Sequence, residues 1–133
     1  MQTAAQRSTS RGHILIADDE PHIRRILQTL LEMADFEVDL RHDGTDALEA
    51  VKSGEHYDLI LLDIMMPGAT GLEVLEAIRE MEERKSTPVV ILTAKGQDAD
   101  RQAAFSLGAD YFLTKPFSPK KLLARIHQII DGD

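Results

Sequence analysis

The sequence predicts an α/β domain: a doubly wound, five-stranded parallel sheet in the order 2-1-3-4-5, with helices on both faces in a three-layer sandwich. Three observations predict it. Five short β-type runs alternate with stretches of helical periodicity. Successive runs start 23, 23, 30 and 21 residues apart, about the length of one strand, one helix and two short loops. The third and fourth runs are continuously apolar, as strands covered on both faces are, whereas the second alternates like an edge strand. Right-handed crossovers with the second run at an edge then favour that strand order.

In chain order, Met1 to Gly12 (MQTAAQRSTSRG) is polar and reads as a flexible tail, without the apolar stretch of a signal peptide. The domain is expected over 13–133. His13 to Ala17 (HILIA) is the first strand, and Ile23, Ile26, Leu27, Leu30, Leu31 and Ala34 stripe the helix that follows, with Pro21 in its first turn. Phe36 to Leu40 is the second strand, followed by a helix striped by Ala47, Leu48 and Val51. Leu59 to Leu62 (LILL) is the third, followed by Leu72, Leu75 and Ile78. Val89 to Thr93 (VVILT) is the fourth, and Gly108 stands where the next helix would end. Asp110 to Leu113 is the fifth, and Pro119 opens a last helix striped by Leu122, Leu123, Ile126 and Ile130.

Composition narrows the function. There is no Cys, which excludes disulfides, thiolate metal sites and cysteine nucleophiles. A formal net charge of −8 argues against general nucleic-acid binding. No apolar run approaches the roughly 18 residues a membrane span needs, so the expectation is a cytoplasmic protein with no membrane contact. The five His residues are scattered without ligand spacing, Glu82 to Lys85 reads as the solvated end of a helix, and Met65-Met66 reads as loop packing.

Ligands of such sheets sit beyond the carboxyl ends of the strands. Asp18, Asp19 and Glu20 follow the first strand, Asp63 follows the third, Thr93 closes the fourth and Lys115 follows the fifth. Taken alone, Asp18-Asp19 suits a helix N-cap, Thr93 an ordinary strand end and Lys115 a surface lysine. Together they converge on one patch, where two unit charges about 5 Å apart repel by on the order of 3 kcal/mol at an effective dielectric of about 20. A hard divalent cation relieves that repulsion. Mg²⁺ takes one or two carboxylates plus water and phosphate oxygens, and Mn²⁺ is the alternative. This donor set suits phosphoryl transfer to a carboxylate, with metal and lysine neutralising the phosphoryl oxygens and a hydroxyl donating to one of them.

The segments ILIADDEP (Ile14 to Pro21), LILLDIMMPGATGLEVL (Leu59 to Leu75), VVILTA (Val89 to Ala94) and GADYFLTKPF (Gly108 to Phe117) occur in an order and spacing that resembles the receiver domain of two-component response regulators. The resemblance covers about residues 12 to 131 and implies a flavodoxin-like (βα)5 fold of the single-domain, chemotaxis-regulator kind. It implies that Asp63 accepts the phosphoryl group. Asp19 and Asp63 would hold Mg²⁺ together with the backbone carbonyl of Met65, while Asp18 would act through a coordinated water. Lys115 would contact the phosphoryl group, and the Lys115-Pro116 peptide would be cis. Thr93 would swing toward the phosphoryl group, and Phe112 would be the aromatic switch residue. The expected donor is a sensor histidine kinase or histidine phosphotransfer protein. The expected output is a change in the face formed by the fourth helix, fifth strand and fifth helix, read by a downstream protein target. Such a protein would catalyse only its own phosphorylation and dephosphorylation and would not be an enzyme in the usual sense.

Three departures sharpen these expectations. Phe117 to Ile126 (FSPKKLLARI) resembles the subfamily that dimerises through salt bridges on that face, and Arg101 and Arg125 match its basic members. Tyr111 and Lys121, however, stand where that subfamily has acids, so a monomer is expected. Met65 stands where some relatives carry a polar side chain that orients the hydrolytic water, which implies slow self-dephosphorylation; Lys95 is the other variable position beside the site. The length fits one receiver and a tail, implying either output through protein contact or a chain that is a fragment of a longer protein. A phosphorelay shuttle, a phosphate sink and a structural pseudo-receiver are the alternatives within the fold. A metal-dependent aspartyl phosphatase of the haloacid dehalogenase type is disfavoured, because such enzymes place an Asp where Met65 stands and put the acidic pair last. A flavodoxin-like cofactor carrier is disfavoured because ADDEP is the opposite of a phosphate cradle.

Overall fold

The structure is a computed structural model and describes residues 10–94 and 98–132. Five parallel strands form one sheet in the order β2-β1-β3-β4-β5. The elements are β1 (Gly12–Ala17), α1 (Pro21–Met33), β2 (Phe36–Arg41), α2 (Gly44–Lys52), β3 (Leu59–Leu62), α3 (Gly71–Glu80), β4 (Val89–Thr93), α4 (Asp98–Ser106), β5 (Tyr111–Thr114) and α5 (Pro119–Asp131).

The period of two along each strand sorts the core into two layers. Ile14, Ile16, Leu59, Leu61, Val90 and Leu92 point to the side covered by Ile23, Leu27 and Leu31 of α1 and Leu122 and Ile126 of α5. Leu15, Ala17, Ile60, Leu62, Val89 and Ile91 point to the side covered by α2, α3 and Ala104 of α4. Each fully buried Leu or Ile contributes about 1.5–3 kcal/mol, so this sorting holds the sheet between its helices. Helix starts follow local chemistry. Pro21 and Pro119 open α1 and α5, Asp43 caps α2, and Thr70 with Glu73 forms a reciprocal capping box on α3.

The boundaries differ from the sequence reading in a few places. Strand β1 begins at Gly12, which pairs with Phe36, and the Arg11 N–H donates to the Asp35 carbonyl. Residues 10–12 therefore join the domain edge, while the rest of the expected tail, 1–9, lies outside the described residues. Strand β5 begins one residue later than Asp110, whose N–H still donates to the Val89 carbonyl at 2.9 Å while its carboxylate accepts from the Val89 N–H at 2.8 Å and pairs with Arg79. The solvated helix end expected at Glu82 to Lys85 is corrected at Arg84. Helix α3 stops at Glu80. Arg84 is buried, stacks on the Tyr57 ring, and donates to the Val51 and Glu55 carbonyls, stapling the end of α2.

Register sets what the carboxyl edge presents. Ala17 lies beside Leu62, Leu62 beside Ile91, and Thr93 beside Thr114. The ladder runs one step past the strands, with the Asp63 N–H on the Ala17 carbonyl at 3.0 Å and the Lys115 N–H on the Thr93 carbonyl at 2.9 Å. Asp18, Asp63 and Lys115 thus leave the sheet side by side.

Candidate functional site at the carboxyl edge of the sheet

Four side chains meet there. The Lys115 ammonium lies 2.6 Å from Glu20 Oε1, 3.0 Å from Asp18 Oδ2 and 3.1 Å from Asp63 Oδ2. One carboxylate oxygen from each of Asp18, Glu20 and Asp63 lies within 4.8 Å of the other two. The ammonium is aligned for hydrogen bonds to Glu20 and Asp63. It is close to Asp18 Oδ2 without that alignment, and this fully buried oxygen has no hydrogen-bond partner. The other Asp18 oxygen accepts from the Glu20 N–H at 2.9 Å, and Asp63 Oδ1 accepts from the Met65 N–H at 3.3 Å. The Lys115-Pro116 peptide is cis, as the resemblance implied.

Electrostatics follow from burial. Desolvation pushes the Asp18 carboxyl above its ordinary value, against its hydrogen bond from the Glu20 N–H and the nearby Lys115. The hydrogen bond from Lys115 lowers the more exposed Glu20. For Lys115, burial alone would lower the value, but its hydrogen bond to Glu20 and the adjacent negative charge of Asp18 outweigh this and raise it. Three carboxylates against one ammonium leave an excess of negative charge. With hard oxygen donors and one buried oxygen unserved, the residues fit a hard divalent cation such as Mg²⁺.

A cleft of about 290 Å³ adjoins the cluster, lined by Asp19, Glu20, Asp63, Met65, Thr93 and Ala94. Thr93 is buried at the end of β4, and the Met65 side chain stands exposed at the rim. The structure brings Asp18, Asp63 and Lys115 together as the sequence predicted. Asp19, expected as a direct metal ligand, is exposed and lines the cleft beside Asp63, and Glu20 joins Asp18 and Asp63 in a cluster that could hold a metal ion. Sequence reasoning placed Glu20 at the edge but gave it no role. Its position immediately before Pro21, at the start of α1, is the signal that could have found it. Phe112 is buried, 6.5 Å from the Phe105 ring, with the Arg101 guanidinium 4.9 Å above it. Lys95 lies outside the described residues. Among those described, no His joins the cluster.

The raised Asp18 value has a measurable consequence. A carboxyl raised in the folded state binds its proton more tightly there than in the unfolded chain, so its contribution to stability falls as pH climbs through the raised value. Glu20, lowered, acts with the opposite sign, and protonated Lys115 contributes constantly below its ordinary range. Asp18→Asn is therefore expected to melt higher than the wild type near neutral pH without metal. The difference should shrink as pH approaches the ordinary carboxyl value of 3.8. Thermal melts in chelator across that range check it, and a constant difference would contradict it.

The family model described as response regulator receiver domain matches residues 14–127. The chain is 43% identical over 122 residues to the transcriptional regulatory protein ResD of Bacillus subtilis, covering 92% of this chain and 49% of that protein. It is 43% identical over 117 residues to the transcriptional regulatory protein CpxR of Escherichia coli, covering 88% and 48%. It thus spans about half the length of these curated relatives. Among solved structures, the chemotaxis response regulator CheY4 of Vibrio cholerae superposes with a TM-score of 0.80 at 33% identity, covering 88% of this chain and 97% of that one. No described helix is long and apolar enough to cross a membrane.

Proposed function

The chain belongs to the response regulator receiver family, and from that premise we propose that it accepts a phosphoryl group on Asp63 from a phosphohistidine donor and signals through a protein contact. The observation that carries the reading is the grip of Lys115 on Asp18, Glu20 and Asp63, beside a cleft that Thr93 lines. In the transfer, an Asp63 oxygen bonds to phosphorus as the P–N bond of the donor breaks, and the leaving imidazole nitrogen takes up a proton. Asp18, Asp63 and Glu20 would hold Mg²⁺, which when bound would neutralise charge on the phosphoryl oxygens. Lys115 would offer its ammonium to the same oxygens, and the Thr93 hydroxyl would swing in to donate to one of them. Asp19 lines the entrance. The chemistry is confined to the chain's own carboxylate, and the reading places the protein in the cytoplasm, where a sensor histidine kinase or histidine phosphotransfer protein serves as donor. Incubation with Mg²⁺ and acetyl phosphate, followed by intact mass, tests it: one added phosphoryl group is expected, and none would overturn it.

The output would pass through α4, β5 and α5. Moving such a face from 1:99 to 99:1 requires about 5.5 kcal/mol of preference for the active state, which a few charge-assisted hydrogen bonds to a phosphoryl group can supply. Arg125 stacks on Tyr111 at 4.4 Å and Arg101 on Phe112 within the same chain, which supports a face without the acidic partners of a salt-bridged dimer. The phosphorylated protein is expected to remain monomeric in sedimentation. A phosphorylation-induced symmetric dimer on this face would refute that.

The exposed Met65 thioether at the rim is a poor acceptor and cannot orient an attacking water well. Met65→Asn is expected to shorten the acyl phosphate lifetime severalfold, measured as loss of the added mass with time. An unchanged lifetime would sink the idea.

A further inference from the structure

The turn between β1 and α1 carries three consecutive acids, and a side chain outside the cluster fixes its backbone. A proline pushes the residue before it toward extended backbone, and Glu20, before Pro21, stands at φ −92°, ψ 114°. Pro21 itself has no N–H to offer the turn. The Asp18 carbonyl is served instead from the first turns of α1, where the half-buried Arg24 reaches back and its guanidinium donates at 2.6 Å. A cationic donor makes such a bond stronger than a neutral one would be. The Arg24 N–H donates to the Glu20 carbonyl at 3.1 Å, so one residue holds the turn at two points. Two further bonds complete the frame: the Asp18 N–H donates to the Arg41 carbonyl of β2 at 3.2 Å, and Asp18 Oδ1 accepts from the Glu20 N–H at 2.9 Å. The turn so held carries two of the three carboxylates around the Lys115 ammonium, Asp18 at 3.0 Å and Glu20 at 2.6 Å.

We propose that Arg24 is a positioning residue for phosphoryl transfer: by holding the backbone of Asp18 and Glu20, it sets the two carboxylates that keep the Lys115 ammonium beside Asp63, at 3.1 Å. This rests on the reading of Asp63 as the phosphoacceptor. Without the guanidinium, the Asp18 carbonyl turns to water, the acidic turn gains freedom, and Lys115 moves with the carboxylates that hold it. The adjacent Arg25 offers a contrast on the same helix. It carries the same charge but is exposed, and it lines a separate cleft with Ile26, Met33 and Pro119. A contribution of charge alone would be shared by both arginines, whereas a contribution of position belongs to Arg24.

Wild type, Arg24→Met, Arg24→Lys and Arg25→Met test it in two measurements, both made where every variant is fully folded. In NMR spectra of the metal-free proteins, the Asp18 carbonyl carbon and the Lys115 ammonium should shift in Arg24→Met. They should return most of the way in Arg24→Lys, which keeps one cationic donor, and stay in place in Arg25→Met. In uptake from acetyl phosphate with Mg²⁺ in excess, followed by intact mass, Arg24→Met should lower the maximal rate about tenfold, as misalignment does. The half-saturating donor concentration should change little. The loss should persist in concentrated KCl, where a Debye length of about 3 Å at 1 M would screen an effect of charge. Arg24→Gln, whose shorter amide does not span to the carbonyl, gives the same comparison should Arg24→Met fail to fold. Unmoved Lys115 signals, no recovery in Arg24→Lys, an equal loss of rate in Arg25→Met, or a loss that salt abolishes would overturn the proposal. If the wild type took up no phosphoryl group, the reading of Asp63 would fall together with this one, whereas normal uptake by both wild type and Arg24→Met removes the task of Arg24 alone.

Discussion

Asp63→Asn is expected to abolish phosphoryl uptake while leaving the protein folded. An amide has nearly the shape of a carboxylate but is a far weaker nucleophile, and its one carbonyl oxygen can keep either the contact from the Met65 N–H or that from Lys115, not both. Lys115 keeps Asp18 and Glu20 as charged partners, so the variant removes one negative charge from a cluster that carries more acids than bases. Near-wild-type stability is accordingly expected in a thermal melt. With Mg²⁺ and acetyl phosphate, intact mass should show one added group on the wild type and none on the variant, and chelation should remove the gain from the wild type. The other carboxylates are distinguishable. Asp18 is fully buried and does not line the cleft, whereas Asp19 and Glu20 do. Residual phosphorylation of Asp63→Asn would therefore point to Asp19 or Glu20 and overturn the assignment, and uptake by neither protein would overturn the chemistry as a whole.

The parts of this site visible in the sequence are those whose placement is fixed by backbone order. Asp18, Asp63, Thr93 and Lys115 each end or follow a strand, so an alternating β-α pattern with one edge strand already brings them together, and the parallel register completes the alignment. Phe36 to Arg41 shows mostly half-buried side chains, as an edge strand does. What stayed hidden depends on side-chain reach. Of three consecutive acids after β1, only geometry distinguishes the buried Asp18, the exposed Asp19 and the Glu20 that turns back to Lys115. Composition could not show this, because all three are acids beside one helix start. Arg84 was hidden for the same reason. In a run of Glu, Glu, Arg and Lys it looks solvated, but its long stem lets the guanidinium cross Tyr57 and satisfy two carbonyls from the α2 side. Met65 and Met66 read alike as loop residues, yet one is exposed at the cleft and the other buried.

Gly71→Ala is expected to damage fold and site together. The loop that carries Asp63 returns to α3 so closely that a Cβ on Gly71 would stand 2.2 Å from the Asp63 carbonyl oxygen and 2.9 Å from its carbon. Both neighbours are backbone, so no side chain can rotate away. The Gly71 N–H donates to the Ile64 carbonyl at 3.0 Å, which ties the helix start to the residue after the phosphoacceptor. Relief must come from moving the helix or the strand end, and forced overpacking of this kind costs about 1–3 kcal/mol, more when backbone has to shift. Gly44 clamps the same loop from the other side, where a Cβ would stand 1.8 Å from the Ala69 carbonyl oxygen, so the loop cannot yield freely in that direction. A displaced Asp63 carbonyl carries its side chain off the line shared with Asp18 and Lys115, and small errors of position cost heavily in a transfer that depends on alignment. The urea midpoint of Gly71→Ala should therefore fall by an amount matching at least about 2 kcal/mol. The rate of acetyl phosphate uptake, measured where the variant is still fully folded, should fall as well. A variant that lost stability but kept the wild-type rate would show that the loop repacks away from Asp63, leaving the close approach of Gly71 as a requirement of the fold and not of the site.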